Sequence, residues 1–577
     1  MLVRKSKLSK FVDQHFSLAA TLLFVLLSVL IYLPVILSGK FPYGNDGLFH
    51  LSRLYELVLG VENGKIFPDI SAFTLGERMG GVNFFYPYIS VYPIAILMYF
   101  LGDFYGFVIG LMVVRFFLLF VSYWMMYKFS ASKKKSLIFS LVYSFSIYTL
   151  VNQIQRGALG ETLGMVFLPM AVYGIYQILF EDYKEWIWAV LGIIGILYSH
   201  VLSVFMLFVV AVGAMLFLLI KKREIVNKKR VLSWLKAGLV ICLLSAIFLI
   251  PFIEQMKFSH AFATTCYNLS TDTFSFFLKG SLQNSLEFPP GQRGILGFFY
   301  TLIIVIITYF FVKCEAFTVK LKILGILTLF FIVLGTSLFP WFLLQNTFFN
   351  TIQFTWRWFI FVSLFSSAYI AEGMMCLLDH DSKKFQFLKW VPIFLSLNGL
   401  IICSAFFYLR ISDGYAHSIN TKMFTRNSNN SQLFNKHNGK YDYATRRQKK
   451  LGKKNGNAIF VDGKKTELKL KHKNYEFYVD DLSSTEKKVT LPITWLKGMS
   501  AYDDKGKLLH VNWKVDGYPI VRTKSKVIRI IYRKTIVQKM SILVSGISWL
   551  LFLVMIRCKS FVKRGGRLKV EKFKEKL

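Results

Sequence analysis

Charged residues are sparse in the apolar parts of this chain, and those present fall into short polar segments. The first, GNDGLFHLSRLYE (44–56), sets Asp46, His50 and Arg53 at successive intervals of four and three. With Asn45 or Asp46 capping a helix over 46–59, the three side chains share one face. A second segment, NQIQRGALGE (152–161), carries Arg156 and Glu161 either side of two glycines, which suits a turn that leads into a helix. Glu77 stands in LGERMGGVNFFYP, His200 in YSHVLS, and Arg357 between Trp356 and Trp358 in NTIQFTWRWFIF. Each has an ordinary role open to it: Asp46 or His200 as a helix cap, Arg156–Glu161 as a local ion pair, Arg357 as a snorkelling side chain. Together they suit chemistry on a phosphate-bearing substrate. Arginine grips phosphate in a bidentate fork and stabilises charge on a leaving phosphate. A carboxylate takes a proton from an acceptor hydroxyl, or holds a divalent cation that bridges the phosphate.

For that chemistry the residues must lie on one side of a membrane. The chain has 577 residues, 54% hydrophobic and only 18% charged, with mean hydropathy +0.48. A soluble protein carries roughly 25% charged residues, so repeated apolar runs of about 20 residues are the simpler explanation. The class is a polytopic α-helical membrane protein. A net charge of +38 does not imply nucleic acid here, because lysines outside the spans set orientation. The cysteines at 242, 266, 314, 376, 403 and 558 contain no CxxC pair, so neither a disulfide framework nor a cysteine metal site is indicated.

Lys5, Lys7 and Lys10 before the run 17–38 place the N-terminus in the cytoplasm and make 39–103 the first outer loop. Two apolar runs, 85–101 and 104–127, precede the triplet Lys133–Lys135, and counting both as spans would put that triplet outside. The run 85–101, rich in tyrosine and phenylalanine, is therefore assigned to the interface. Spans are then expected at 104–127, 136–152, 163–180, 185–199, 201–220, 234–253, 294–312, 321–343, 358–378, 390–409 and 539–557, about twelve in all with the first run. KKREIVNKKR (221–230), Lys313, Lys320, Lys383, Lys384 and the basic tail from Arg557 all fall inside. This topology, chosen from the lysines alone, places every candidate residue on the outer face.

Residues 410–538 hold no spanning run. Their first half is polar and basic (427–456) and suits a polyanionic acceptor. The second half holds strand-like pieces, KTELKLK, NYEFYV, KKVTLPITW, KLLHVNWKV and SKVIRIIYR, separated by turn signals at DDLSS, DDKG and VDGYP. The expected organisation is a transmembrane part (1–409), an extracytoplasmic β-rich domain (410–538), and a last span with a cytoplasmic tail (539–577). No P-loop or dinucleotide fingerprint occurs in strand–turn–helix context, which disfavours a nucleotide-driven pump or a nucleotide-sugar enzyme.

GNDGLFHLSRLYE, GVNFFYPY, RGALGE, YSHVLS, QFTWRWF and LPITWLKGMSAYDDKGK, in this order over nearly the full length, resemble the YfhO-like membrane proteins of Gram-positive bacteria. They also resemble the relatives labelled as 6-pyruvoyl-tetrahydropterin synthase-related membrane proteins, a label that does not state an activity. Such proteins are similar to the GT-C glycosyltransferases, which take a sugar from a polyprenyl-phosphate donor on the outer face. The resemblance implies an acidic residue in the first outer loop, matched by Asp46, with Glu77 as the counterpart of a second. It also implies interfacial helices in that loop and a role in decorating envelope polymers such as lipoteichoic acid. The family's paired acids are not reproduced, since GNDG stands at Asp46.

The resulting expectation is a glycosyltransferase of the cell membrane. Asp46 would be general base or metal ligand, with a divalent cation as the candidate cofactor. Arg156 and Arg357 would hold the donor phosphate, Glu161 would orient Arg156, and His50, Arg53, Glu77 and His200 would support. The acceptor would be an envelope polymer or a glycolipid. A flippase or transporter of a lipid-linked precursor, and a non-enzymatic envelope scaffold, are the alternatives.

Overall fold

The computed structural model describes residues 15–44, 46–73, 80–221, 227–259, 269–286, 295–314, 318–412, 418–420, 458–473, 475–513 and 518–574. Glu77 and the basic stretch 427–456 lie outside the described residues.

Among the described residues six helices are long and apolar enough to cross a membrane: Asp103–Ser130, Leu159–Phe180, Val201–Lys221, Thr355–His380, Gln386–Ser412 and Ile536–Cys558. Two bent pairs, Lys133–Ser144 with Ile147–Gln155 and Lys228–Leu244 with Ala246–Phe258, raise the number to 8 if each is one span. The chain is thus a polytopic helical membrane protein. The other four expected spans are helical but shorter. The run 17–38 is divided into Phe16–Leu30 and Leu33–Ser38, with Pro34 in the first turn of the second piece. Residues 294–312 and 321–343 form Phe298–Lys313 and Val319–Gly335. The expected span 185–199 is the 11-residue helix Ile187–Leu197. At 1.5 Å per residue it reaches about 16 Å, against a hydrocarbon core of about 30 Å. Small residues let it pack closely instead: a Cβ on Gly192 would lie 2.2 Å from the backbone nitrogen of Ala171. The run assigned to the interface is a 3-10 turn and a helix, Ile89–Val91 and Tyr92–Leu101.

Charge separates along the bundle. Arg357 stands at the start of the Thr355–His380 helix, and Glu372, 15 residues on, lies about 22 Å further along the axis. There Glu372 pairs with Lys135 at 2.9 Å and Lys320 at 3.5 Å. Likewise Glu161 opens the Leu159–Phe180 helix, while Arg230 donates to the carbonyls of Ile178 and Glu181 at its far end. Lys135, Lys320 and Arg230 thus stand at the ends of these helices opposite Arg357 and Glu161.

The extracytoplasmic module holds two antiparallel five-stranded sheets. In chain order the strands are β1 (Lys40–Pro42), β2 (Ser418–Asn420), β3 (Phe460–Val461), β4 (Lys464–Lys465), β5 (Lys471–Lys473), β6 (Glu476–Val479), β7 (Lys487–Thr490), β8 (Met499–Tyr502), β9 (Leu508–Leu509), β10 (Val511–Asn512), β11 (Ile520–Thr523) and β12 (Ile528–Tyr532). The sheets run β10-β11-β7-β3-β4 and β5-β6-β12-β8-β9, and β1 pairs with β2 apart from them. The expected strand KLLHVNWKV is divided at His510, so that β9 and β10 serve different sheets. Val489, Val521, Phe477, Ile528 and Ile530 fill the core, and Ile70, Ala72, Phe84 and Phe85 of the first loop join it. Glu56 fixes that loop: its buried carboxylate accepts from the backbone nitrogens of Ala72 (2.7 Å) and Phe73 (3.0 Å). Glu254 bonds Lys497 (3.0 Å) and Gln538 (2.8 Å), and Asp69 bonds Lys534, fastening the module to the helices.

Candidate site at the end of the bundle

The site is built on close backbone contact. Gly44 leaves no room for a side chain, since a Cβ would stand 1.7 Å from the carbonyl oxygen of Gln155. Gly157, at φ 66°, would place its Cβ 2.8 Å from the Cα of Gly47. The loop before the Gly47–Glu62 helix therefore lies on the turn that opens the Leu159–Phe180 helix, and the Asp46 backbone nitrogen donates to the Arg156 carbonyl at 2.9 Å. Asp46 occupies the N-cap position but makes no side-chain cap bond. Its carboxylate accepts from Arg156 Nη2 at 2.7 Å.

From there an ion-pair chain runs inward. Arg156 Nη1 donates to Glu161 Oε2 at 3.0 Å and to the Asn152 side chain. Glu161 Oε1 accepts from the Tyr148 hydroxyl (2.6 Å) and from Asn152 Nδ2 (3.2 Å). Side-chain exposure falls along the chain, from 39% at Asp46 to 5% at Arg156 and 2% at Glu161. Asp46 is the solvent-facing end. Arg156 and Asn152 are presented by a π-helical turn, Val151–Gln155, in which the Arg156 nitrogen donates to the Val151 carbonyl. Such turns recur at functional sites.

Two further groups surround this chain. Trp356 lies under Arg156, its ring centre 4.4 Å from the guanidinium carbon. Arg357 is also buried, and Nη1 donates to the Ile352 carbonyl (2.5 Å) and to Gln353 Oε1 (2.9 Å). Among the described residues no carboxylate lies within ion-pair distance of Arg357, and its Nε lacks a hydrogen-bond partner. On the other side the Tyr86 ring stands between His50 and His200, with centroids 5.5 and 6.1 Å away. Arg53 stacks on Tyr86 at 4.2 Å and donates to the carbonyls of Tyr86 and Pro87, fixing that turn. His200 Nδ1 shares a 2.8 Å bond with Ser203 Oγ. Burial keeps both imidazoles neutral: that of His200 is pushed down to about 4, and that of His50 well below its usual value, with Arg53 adding to the effect.

Asp46, Arg156 and Glu161 are therefore in direct contact, and His50, Arg53 and His200 meet at Tyr86. Arg357 joins through Trp356, 5.7 Å from its ring. Sequence reasoning did not single out Asn152, Tyr148 or Tyr86. Asn152 was visible as a polar residue four before Arg156, whereas Tyr148 sits among apolar neighbours and gave no signal. It also missed Arg115, wholly buried within the Asp103–Ser130 helix. Arg115 donates to Gln153 Oε1 at 3.1 Å and stacks on Phe145 at 4.4 Å. Among the described residues no three His, Cys, Asp or Glu side chains gather as a metal-binding group.

No family model matches the chain. Over 250 residues it is 23% identical to a protein of Lactococcus lactis subsp. cremoris (strain MG1363) described only as uncharacterized. That stretch is 41% of this chain and spans 39% of the relative's length.

Chemically, the arrangement offers a fixed, solvent-facing carboxylate, a buried guanidinium between two carboxylates, and a second guanidinium with spare donor capacity. Asp46 and Glu161 together carry one negative charge more than Arg156 does, and the Arg357 guanidinium balances it across the site. An anion arriving here meets a donor at Arg357 Nε that no described group occupies.

Proposed function

We propose that this protein is a membrane glycosyltransferase that moves a sugar from a polyprenyl-phosphate donor to a cell-envelope polymer or glycolipid on the outer face, with both termini in the cytoplasm. The likeness of its motifs to YfhO-like and GT-C proteins supports the reading. The observation that carries it is the carboxylate of Asp46, held 2.7 Å from Arg156 at the solvent-facing end of a buried ion-pair chain. In this reading Asp46 accepts the proton of the acceptor hydroxyl as its oxygen bonds to the anomeric carbon. The bond from that carbon to the phosphate oxygen breaks, and the phosphate leaves with the electron pair. Arg357 stabilises the departing charge. Arg156 acts as a positioning residue for Asp46, and Glu161 balances its charge. In the alternative role a divalent cation would have Asp46 as its protein ligand and would neutralise charge on the leaving group.

The test is complementation of a deletion strain that has lost one envelope glycan modification. Asp46→Asn, expressed at the wild-type level, is expected to leave the modification absent; full restoration refutes the assignment. A second reading, a flippase for a lipid-linked precursor, is favoured by Arg115, since a charge buried within a span commonly marks a transport path. Accumulation of the precursor on the cytoplasmic leaflet of the deletion strain selects it. A scaffold instead tolerates both Asp46→Asn and Arg156→Met.

A further inference from the structure

Residues 336–356 join the Val319–Gly335 and Phe359–His380 helices and contain no charged residue. They fold into 3-10 turns, Trp341–Leu344 and Phe348–Ile352, that run into Trp356 and Arg357. Large apolar side chains dominate their outward side: Leu338, Phe342, Leu343 and Phe348 are 50–73% exposed. Several of their polar side chains bond the backbone, and the exposed polar residues, Ser337, Asn346, Thr347 and Thr351, are all uncharged. Gln345 makes two bonds with the main chain of Leu269 (3.0 and 3.1 Å), Asn350 accepts from the Asn346 nitrogen (3.1 Å), and Thr347 donates to the Leu344 carbonyl (2.6 Å). Trp341 is buried and donates its indole N–H to the Leu334 carbonyl at 2.8 Å.

Large exposed apolar side chains, no charge, and a few small neutral polar groups suit the boundary between lipid headgroups and acyl chains. The neighbouring helix identifies that surrounding. Val319–Gly335 exposes Ile323, Ile326, Leu329 and Phe330 at helical spacing, a lipid-facing stripe that runs toward the turns. We propose that residues 336–354 are immersed in the headgroup–acyl boundary of the leaflet on the Asp46 side, forming a lipid-embedded lip at the membrane edge of the site. The lip sets Trp356 and Arg357 at headgroup depth. Resting on the function proposed above, a phosphate held by a lipid then meets Arg357 laterally, from within the bilayer.

The experiment reads immersion directly. Nitroxide labels are placed at Phe342→Cys and Phe348→Cys, in a background with the native cysteines replaced by alanine, and at Lys505→Cys on the exposed turn after β8. In nanodiscs the first two are expected to collide with oxygen and to show several-fold lower accessibility to a water-soluble nickel chelate than the third. As a check that needs no substitution, a phospholipid carrying a diazirine on its acyl chain is photolysed with the unmodified protein. Its adducts are expected within 336–354 and in the long helices but not on β7–β12. Nickel accessibility at 342 and 348 equal to that at 505, with no adducts in 336–354, overturns the proposal. Protection from both collision reagents, the sign of a second copy or another protein over the lip, overturns it too. Neither readout depends on catalysis, so failure of the Asp46 test leaves this result standing, and the reverse also holds.

Discussion

Asp46 and Glu161 hold the same guanidinium, yet removing their charges should have opposite profiles. Glu161 is 2% exposed and faces an arginine that is 5% exposed. Deleting one partner of a buried pair costs about 3–5 kcal/mol where the other charge is left uncompensated, and less here because Arg156 keeps Asp46 at 2.7 Å. In Glu161→Gln the Tyr148 hydroxyl and Asn152 still find an acceptor, so the cost is mostly electrostatic. Asp46 is 39% exposed, its pair is screened by water, and Asp46→Asn should cost about 0.2–1 kcal/mol. The assay is the apparent melting temperature of the detergent-solubilised protein, read by size-exclusion after heating, beside complementation of the glycan modification. Glu161→Gln should melt clearly lower and Asp46→Asn near wild type, while Asp46→Asn abolishes the modification. Equal melting losses would refute the burial gradient on which the site's polarity was argued. A Glu161→Gln, Arg156→Met double variant should recover part of the loss, since it removes the buried charge that has lost a partner; additive losses would show that the two do not interact.

Gly157→Ala should impair both folding and activity, because φ 66° and a Cβ 2.8 Å from Gly47 impose about 1–3 kcal/mol of strain; an unchanged melting temperature would contradict the backbone contact. His200, neutral in the fold with its pKa lowered to about 4 against an ordinary 6.5, makes the unfolded chain the better proton binder between those values. Stability present above 6.5 is then lost as pH falls toward 4, and His200→Asn should flatten that limb of the melting curve against pH. Arg53→Lys should reduce activity while the protein still inserts, since an ammonium does not reproduce the two bonds to the carbonyls of Tyr86 and Pro87 together with the stack; full activity would remove Arg53 from the site's support.

What was legible in the sequence was local. The Asp46–His50–Arg53 spacing and the Arg156–Glu161 turn follow from short-range periodicity and glycine placement, and the long apolar helices follow from hydropathy. The meeting of Asp46 with Arg156 bridges 110 positions, and no local pattern encodes it. Hydropathy also does not see where helices break. The chain bends by 52° after Ser144 and by 74° after Leu244 within runs that read as continuous. At the second break the freed Leu244 carbonyl is taken by the hydroxyls of Tyr198 and Ser545, a compensation supplied by distant residues. In the β module NYEFYV, KKVTLPITW and SKVIRIIYR contain β6, β7 and β12, and the turn at DDKG falls between β8 and β9. KTELKLK, by contrast, is strand only at its two end residues, in β4 and β5, and β3, β8 and β11 were missed, being short segments paired across the sheets rather than marked by composition. Glu77 falls outside the described residues, so its place beside Asp46 rests on sequence alone.

The ladder between β1 and β2 pairs Lys40 with Asn420 and Pro42 with Ser418. It joins the exit of the first helical segment to the exit of the last helix before the β module. The helical part of the chain is thereby closed on itself, and Asp46 lies four residues past the clasp. The clasp therefore couples two distant parts of the chain: a shift of Ser418–Asn420 displaces Lys40–Pro42 and, with it, the segment that leads to the carboxylate.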